Sequence, residues 1–174
     1  KKWYNYRGQV NQAIRLEPQY AFAFYNRGNA YARLGQYQRA IQDYDEAIRL
    51  NPEYADAYFS RAYTYDELDQ PEQAIEDYTE AIRLDPRAVM PNLELAELYF
   101  RQDRMRLGWD YYQQYLQRSG RQSARSLWLG IRLASDLGYA DQQSSYELAL
   151  ENIYRRSAEY REWQNWKASQ ESGK

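Results

Sequence analysis

The chain has 174 residues, 28% of them charged, with 23 Lys and Arg against 25 Asp and Glu for a formal charge of −2. It contains neither cysteine nor histidine, which excludes thiol nucleophiles, disulfides, zinc-finger ligands and imidazole bases. No stretch approaches the roughly 20 apolar residues of a membrane-spanning helix.

One phrase recurs at an interval of 34 residues: Ala13-Ile14-Arg15-Leu16-Glu17-Pro18, Ala47-Ile48-Arg49-Leu50-Asn51-Pro52 and Ala81-Ile82-Arg83-Leu84-Asp85-Pro86. This period resembles that of the tetratricopeptide repeat, a pair of antiparallel helices that buries its apolar face only by stacking on neighbours. The front of the chain (1–18) reads as a partial repeat. Its second helix runs to Leu16, and its first is missing or contracted into Trp3-Tyr4-Asn5-Tyr6, as expected of a chain that begins inside a longer array.

Two full repeats follow, at 21–54 and 55–88. The family pattern alternates large and small residues at fixed places, supplied here by Phe24, Gly28, Tyr31, Ala40, Tyr44 and Ala47, then by Tyr58, Ala62, Tyr65, Ala74, Tyr78 and Ala81. The small residues let two helix backbones approach and the large ones fill the space beside them. Leu34-Gly35-Gln36-Tyr37 and Leu68-Asp69-Gln70-Pro71 are the predicted turns, with Gly closing one helix and Pro opening another.

A degenerate repeat at 89–120 keeps Asn92, Ala96, Tyr99, Gly108 and Tyr112 but places the large Tyr115 where a small residue belongs. Helices are predicted at about 88–102 and 105–118. A degenerate hairpin at 121–154 runs through Ser126-Leu127-Trp128-Leu129-Gly130-Ile131-Arg132-Leu133-Ala134, a turn at Gly138, and Ser145 to Tyr154. A capping helix at 156–168, about Ala158 to Trp166, covers the end. The fold class is therefore all-α, a single solenoid of antiparallel helix hairpins.

Charge is distributed unevenly. Between Pro18 and Pro86 six arginines face thirteen acids, a net of −7, and between Arg87 and Arg132 eight arginines face four acids, a net of +4. Resemblance to the repeat family implies a concave groove lined by the first helix of each unit. The residues it places there are Phe22, Tyr25, Asn26, Asn29 and Arg33, then Asp56, Phe59, Tyr63, Asp66 and Glu67, then Glu94. Aromatic anchors beside carboxylates would suit a basic protein segment. Related co-chaperones grip a terminal carboxylate with Lys, Asn and Arg. The matching positions here are Tyr25, Asn29, Ser60, Met90 and Glu94, of which only Asn29 agrees, so an acidic chaperone tail is not the expected ligand.

The second half carries narrower signals: Leu93-Glu94-Leu95-Ala96-Glu97-Leu98-Tyr99, Tyr111-Tyr112-Gln113-Gln114-Tyr115-Leu116, Ser126-Leu127-Trp128-Leu129-Gly130-Ile131-Arg132-Leu133, Ser145-Tyr146-Glu147-Leu148 and Ser157-Ala158-Glu159-Tyr160. In this order, across residues 88–162, it resembles the C-terminal part of the tetratricopeptide pilotin lipoproteins of type IV pilus biogenesis. That resemblance implies a factor at the periplasmic face of the bacterial outer membrane that binds secretin subunits, with a lipid anchor upstream. It departs from the family near Tyr154-Arg155-Arg156-Ser157, where an aromatic-Pro and a Ser-Pro-Glu-Tyr-like stretch are usual. The family's lipidated cysteine is not among these residues.

Catalysis finds little support. Asp43 with Asp45, Asp66 with Glu67, and Glu76 with Asp77 lie one or two residues apart on helices and point in different directions. There is no phosphate-binding loop, and no cofactor is expected. An RNA-binding alternative rests on Arg101, Arg104, Arg106, Arg118, Arg121 and Arg125, interleaved with Trp109 and Tyr112. The reading that the residues favour is a non-enzymatic interaction adaptor, pilotin-like in role. The alternative is a general scaffold for an unrelated peptide or protein, for which a cytoplasmic location would serve equally.

Overall fold

The computed structural model describes residues 10–17 and 19–172, and the Trp3–Tyr6 segment lies outside them. Among the described residues there are ten helices and no strand: α1 (10–16), α2 (Ala21–Arg33), α3 (Tyr37–Leu50), α4 (Ala55–Glu67), α5 (Pro71–Leu84), α6 (Met90–Arg101), α7 (Met105–Arg118), α8 (Ala124–Leu137), α9 (Ala140–Tyr154) and α10 (Ala158–Ser172). None of them is long and apolar enough to cross a membrane. The helices form the all-α hairpin array that the repeats predict. Their contacts gather into two compact units, one ending at Pro91 and one beginning at Asn92.

Every hairpin turn uses the same device. Gly35, Asp69, Asp103 and Gly138 take positive φ values of 70°, 55°, 59° and 73°. Each left-handed residue lets the next N–H reach back to a helix carbonyl: Gln36 to Tyr31, Gln70 to Tyr65, Arg104 to Tyr99 and Tyr139 to Ala134, at 2.8–2.9 Å. This is the Schellman arrangement, which satisfies carbonyls left open at a helix end. Asp replaces Gly at two of the four turns because its short polar side chain tolerates that backbone region.

In the first unit the small-large pattern does its packing work. Ala40, Ala57, Ala62, Ala74 and Ala81 are at most 1% exposed, as are Tyr44 and Tyr78. Gly28 is required: a Cβ there would lie 2.6 Å from Tyr44 Cε1. Arg27 donates to both carboxylate oxygens of Asp43, at 2.8 and 2.7 Å, and to Asn11 Oδ1 of α1 at 3.0 Å. Thirty-four residues on, Arg61 does the same with Asp77, at 2.7 Å twice, and with Asp45 of α3 at 2.6 Å. Each guanidinium also lies 5.5 Å over an aromatic ring of its own helix, Phe24 or Tyr58. Each arginine thus ties its own hairpin to the one before.

Asp43 and Asp77 are 5% and 6% exposed. Burial pushes both carboxyls above their ordinary value, and the arginine hydrogen bonds oppose that without cancelling it. A raised folded-state value favours folding only at low pH, and that contribution is lost as pH rises through it. At neutral pH the pair therefore fixes geometry more than it adds stability.

The second unit departs from the pattern. The positions matching Arg61 and Asp77 hold Leu95, fully buried, and Tyr111, whose ring stacks 5.5 Å from Tyr99. The buried ion pair is gone. Gly130 is needed because a Cβ there would run into the Tyr112 phenol, which is itself fully buried. A reciprocal capping box between Ser123 and Ser126 starts α8. The cap predicted at the end is α10: Tyr160 and Trp163 pack on Leu127, Ile131 and Leu150, and Trp166 meets Trp128 edge-on at 5.7 Å. It runs to Ser172, beyond the expected Trp166. α9 begins at Ala140, five residues ahead of the expected Ser145. Its polar opening, Asp141-Gln142-Gln143-Ser144, lacks apolar periodicity, yet Asp141 suits the positive N-terminal end of a helix.

Replacing Arg61 with Met should strand the Asp77 carboxylate and lower unfolding stability by about 3 kcal/mol, read as an earlier urea midpoint. Arg61→Met combined with Asp77→Leu should recover most of that loss. A double variant as unstable as the single one would mean that the pair stabilises by attraction.

Candidate functional site

The inner face of the first unit is built from α2 and α4, with α3 as floor. Helical spacing puts Tyr25, Asn29 and Arg33 on one face of α2, and Phe59, Tyr63 and Glu67 on one face of α4. These six expected residues line one cleft of about 540 Å³, together with Ala32, Ser60, Thr64, Tyr37 and Tyr44. A second cleft of about 320 Å³ lies along the same helix, lined by Asp56, Phe59, Asp85, Ala88, Val89 and Met90. Phe59 belongs to both and separates them.

The clefts are partly prepaid by internal contacts. Tyr25 sits 4.9 Å from Tyr54 and 6.2 Å from Tyr44 between ring centroids, so its ring is held in place by neighbours while it lines the cleft. Phe59 leans on Tyr78 at 5.6 Å. Tyr44 donates to Asn29 Oδ1 at 2.8 Å, and burial pushes its phenol well above the ordinary tyrosine value. Asn29 therefore offers its amide N–H groups while its oxygen is engaged. Tyr37 donates to Glu67 Oε2 at 3.1 Å. Exposed Asp56 and Asp85 give the smaller cleft two carboxylates beside Met90, which is 44% exposed.

The remaining expected residues lie elsewhere. Phe22, 49% exposed, stands beside Tyr20 and Tyr25 and lines neither cleft. Asn26 donates to the Phe22 carbonyl at 2.8 Å. Asp66 is half-buried and lines neither cleft. Glu94 belongs to the second unit and is 5% exposed. Both its oxygens accept from Arg125, at 2.9 and 2.7 Å. A carboxylate held that way is not available to a ligand, so Glu94 is dropped from the groove.

Tyr37 and Thr64 were not anticipated. Tyr37 opens the second helix of its repeat, outside the first-helix positions that the groove pattern names, and Thr64 presents only its small side chain. Three of the six carboxylates that lie in close pairs along the sequence are taken by arginines: Asp43 by Arg27, and both Asp45 and Asp77 by Arg61. The RNA-binding run is likewise broken up. Arg125 is bound by Glu94 and Glu97, and Tyr112 has no exposed face on which a base can stack.

The tetratricopeptide repeat pattern matches residues 21–54 and 55–87. Among curated proteins, the type IV pilus assembly protein PilF of Pseudomonas aeruginosa is 42% identical over 72 residues. The match covers 41% of this chain and spans only 28% of that protein's length. A solved structure of Pseudomonas aeruginosa PilF superposes with a TM-score of 0.84 at 30% identity, covering 91% of this chain and 72% of that one. PilW, a type IV pilus biogenesis factor, superposes with a TM-score of 0.61 at 16% identity over 93% of this chain and 90% of its own, a likeness of fold.

Tyr44→Phe should lower stability by about 1 kcal/mol, the net worth of one hydrogen bond, with helicity unchanged by circular dichroism. No loss in a urea titration would show that the Tyr44 hydroxyl does not hold Asn29.

Proposed function

Because this chain belongs to the tetratricopeptide repeat family and resembles the pilus assembly protein PilF, we propose that it is a non-enzymatic protein-interaction adaptor in type IV pilus biogenesis. Its finer role is pilotin-like: it binds secretin subunits at the periplasmic face of the bacterial outer membrane. The ligand site is the first-unit groove, and its occupant is a protein segment with an apolar or aromatic side chain and a basic neighbour.

The observation that carries this reading is the pair of clefts meeting at Phe59. Rigid aromatic walls lose little entropy when a partner docks, and such side chains dominate binding energy at interfaces. Asp56, Asp85 and Glu67 stand around these walls in a stretch that carries −7 between Pro18 and Pro86. That field draws basic segments and rejects acidic ones. The PilF resemblance supplies the pilus context, and the secretin follows from the pilotin-like order of motifs across residues 88–162.

A calorimetric titration against a type IV pilus secretin subunit, with an unrelated basic peptide as control, tests the reading. Saturable binding to the secretin alone is expected, weaker at 300 mM than at 50 mM salt. Tyr25→Ala with Phe59→Ala should weaken it at least tenfold while far-UV circular dichroism stays the same. Equal binding of both ligands would leave a general repeat scaffold. Unchanged affinity in the double variant would remove the groove as the site.

A further inference from the structure

The second unit carries a cleft that the groove reading does not use. It lies at the α7–α8 loop and the end of α9, has a volume of about 300 Å³, and is lined by Arg121, Gln122, Leu127, Ala149, Ile153 and Tyr154. Its loop wall is fastened from both sides. Ser119 Oγ donates to the Arg121 carbonyl at 2.8 Å, and the Tyr154 hydroxyl donates to the Gln122 carbonyl at 2.6 Å. A loop held this way loses little freedom when something docks on it.

Two features point to one kind of occupant. Ile153 is 59% exposed on the cleft wall. A lone exposed apolar side chain is ordinary, but this one borders a preformed cleft, where a partner's apolar side chain can be covered. The charge around it is positive. Arg121 lines the cleft, Arg118 lies three residues before it, and Arg155 and Arg156 follow Tyr154 directly; all four are exposed. Arg118 donates to the Gln114 carbonyl and keeps its charge, and Arg155 meets Glu151 only at 3.4 Å. Neither Arg121 nor Arg156 forms a salt bridge among the described residues.

We propose that this cleft is a second docking site, for an acidic protein segment that carries a leucine-sized side chain. The apolar side chain packs on Ile153 and Ala149 at the cleft wall, and the flanking carboxylates meet Arg121 and its neighbours. The preference is opposite in sign to that of the first-unit groove, so a segment suited to one site is disfavoured at the other.

The test uses a fluorescein-labelled octapeptide with four glutamates and two leucines, read by anisotropy against the whole chain. One control replaces its glutamates with lysines and another replaces its leucines with serines. Saturable binding of the first peptide alone is expected, weakened at least fivefold by Arg121→Glu and by Ile153→Ser, both at exposed positions, and unchanged by Phe59→Ala. If the serine peptide binds as well as the leucine peptide, the attraction is charge alone and the cleft is not a site. No binding by any peptide, with retention on phosphatidylglycerol vesicles, would overturn the proposal in favour of a lipid surface. Loss on Phe59→Ala would place the peptide in the first-unit groove and also overturn it.

Discussion

Arg27 and Arg61 each touch two hairpins at once, and the register of the first unit depends on that double grip. The fork of a guanidinium meets a buried aspartate in its own repeat with two parallel bonds, while a third N–H reaches the helix before it. Such geometry tolerates neither a slip along the helix nor a rotation about it. The tyrosines and alanines supply the burial that drives stacking, but apolar contacts are not directional. The arginines decide how the stack sits, and so where the first helices present Tyr25, Phe59 and Tyr63.

The groove follows from that placement. Three aromatic residues from two helices face one space because α2 and α4 occupy equivalent positions in successive repeats. Tyr25 is backed by Tyr44 and Tyr54, and Phe59 by Tyr78. The result is a wall whose rings are held before any partner arrives. In the second unit the same hairpin plan uses a different interior, with Leu95 in place of the arginine and a fully buried Tyr112 fitted against Gly130. Its link between hairpins is a different ion pair, Arg125 of α8 on Glu94 and Glu97 of α6.

Much of the fold was legible because the repeat is written in residues that can do little else. Gly28 stands where a methyl group would strike a ring, Pro71 opens a helix, and Gly35 and Gly138 sit where the backbone turns left-handed. The groove was legible as a set of positions, and six of the eleven residues read from it line the larger cleft. What escaped were relations between distant side chains. Glu94 looks like any groove carboxylate until Arg125, 31 residues away, takes both its oxygens. Tyr112 reads both as the large packing residue of its repeat and as a stacking surface for a base, and its full burial keeps only the first. The early start of α9 was hidden for a different reason, since a polar first turn gives no periodic signal.

The periodic arginine contacts bear on how such a chain lengthens. If residues 21–54 were duplicated in tandem, the new copy of Arg27 would find the original Asp45 where Asn11 now stands, and the new copy of Asp45 would meet Arg61. Every bond in the series would be remade. A copy of 55–88 placed after itself would find Thr79 at that place, its hydroxyl already donating to Ile75. Further along, Gly130 and Tyr112 come from different hairpins, so copying either one alone would break their fit. The chain is thus built to grow or shrink by whole repeats near its front, while its rear is fixed in number. Lineages that gain reach would be expected to do so by inserting units ahead of residue 55.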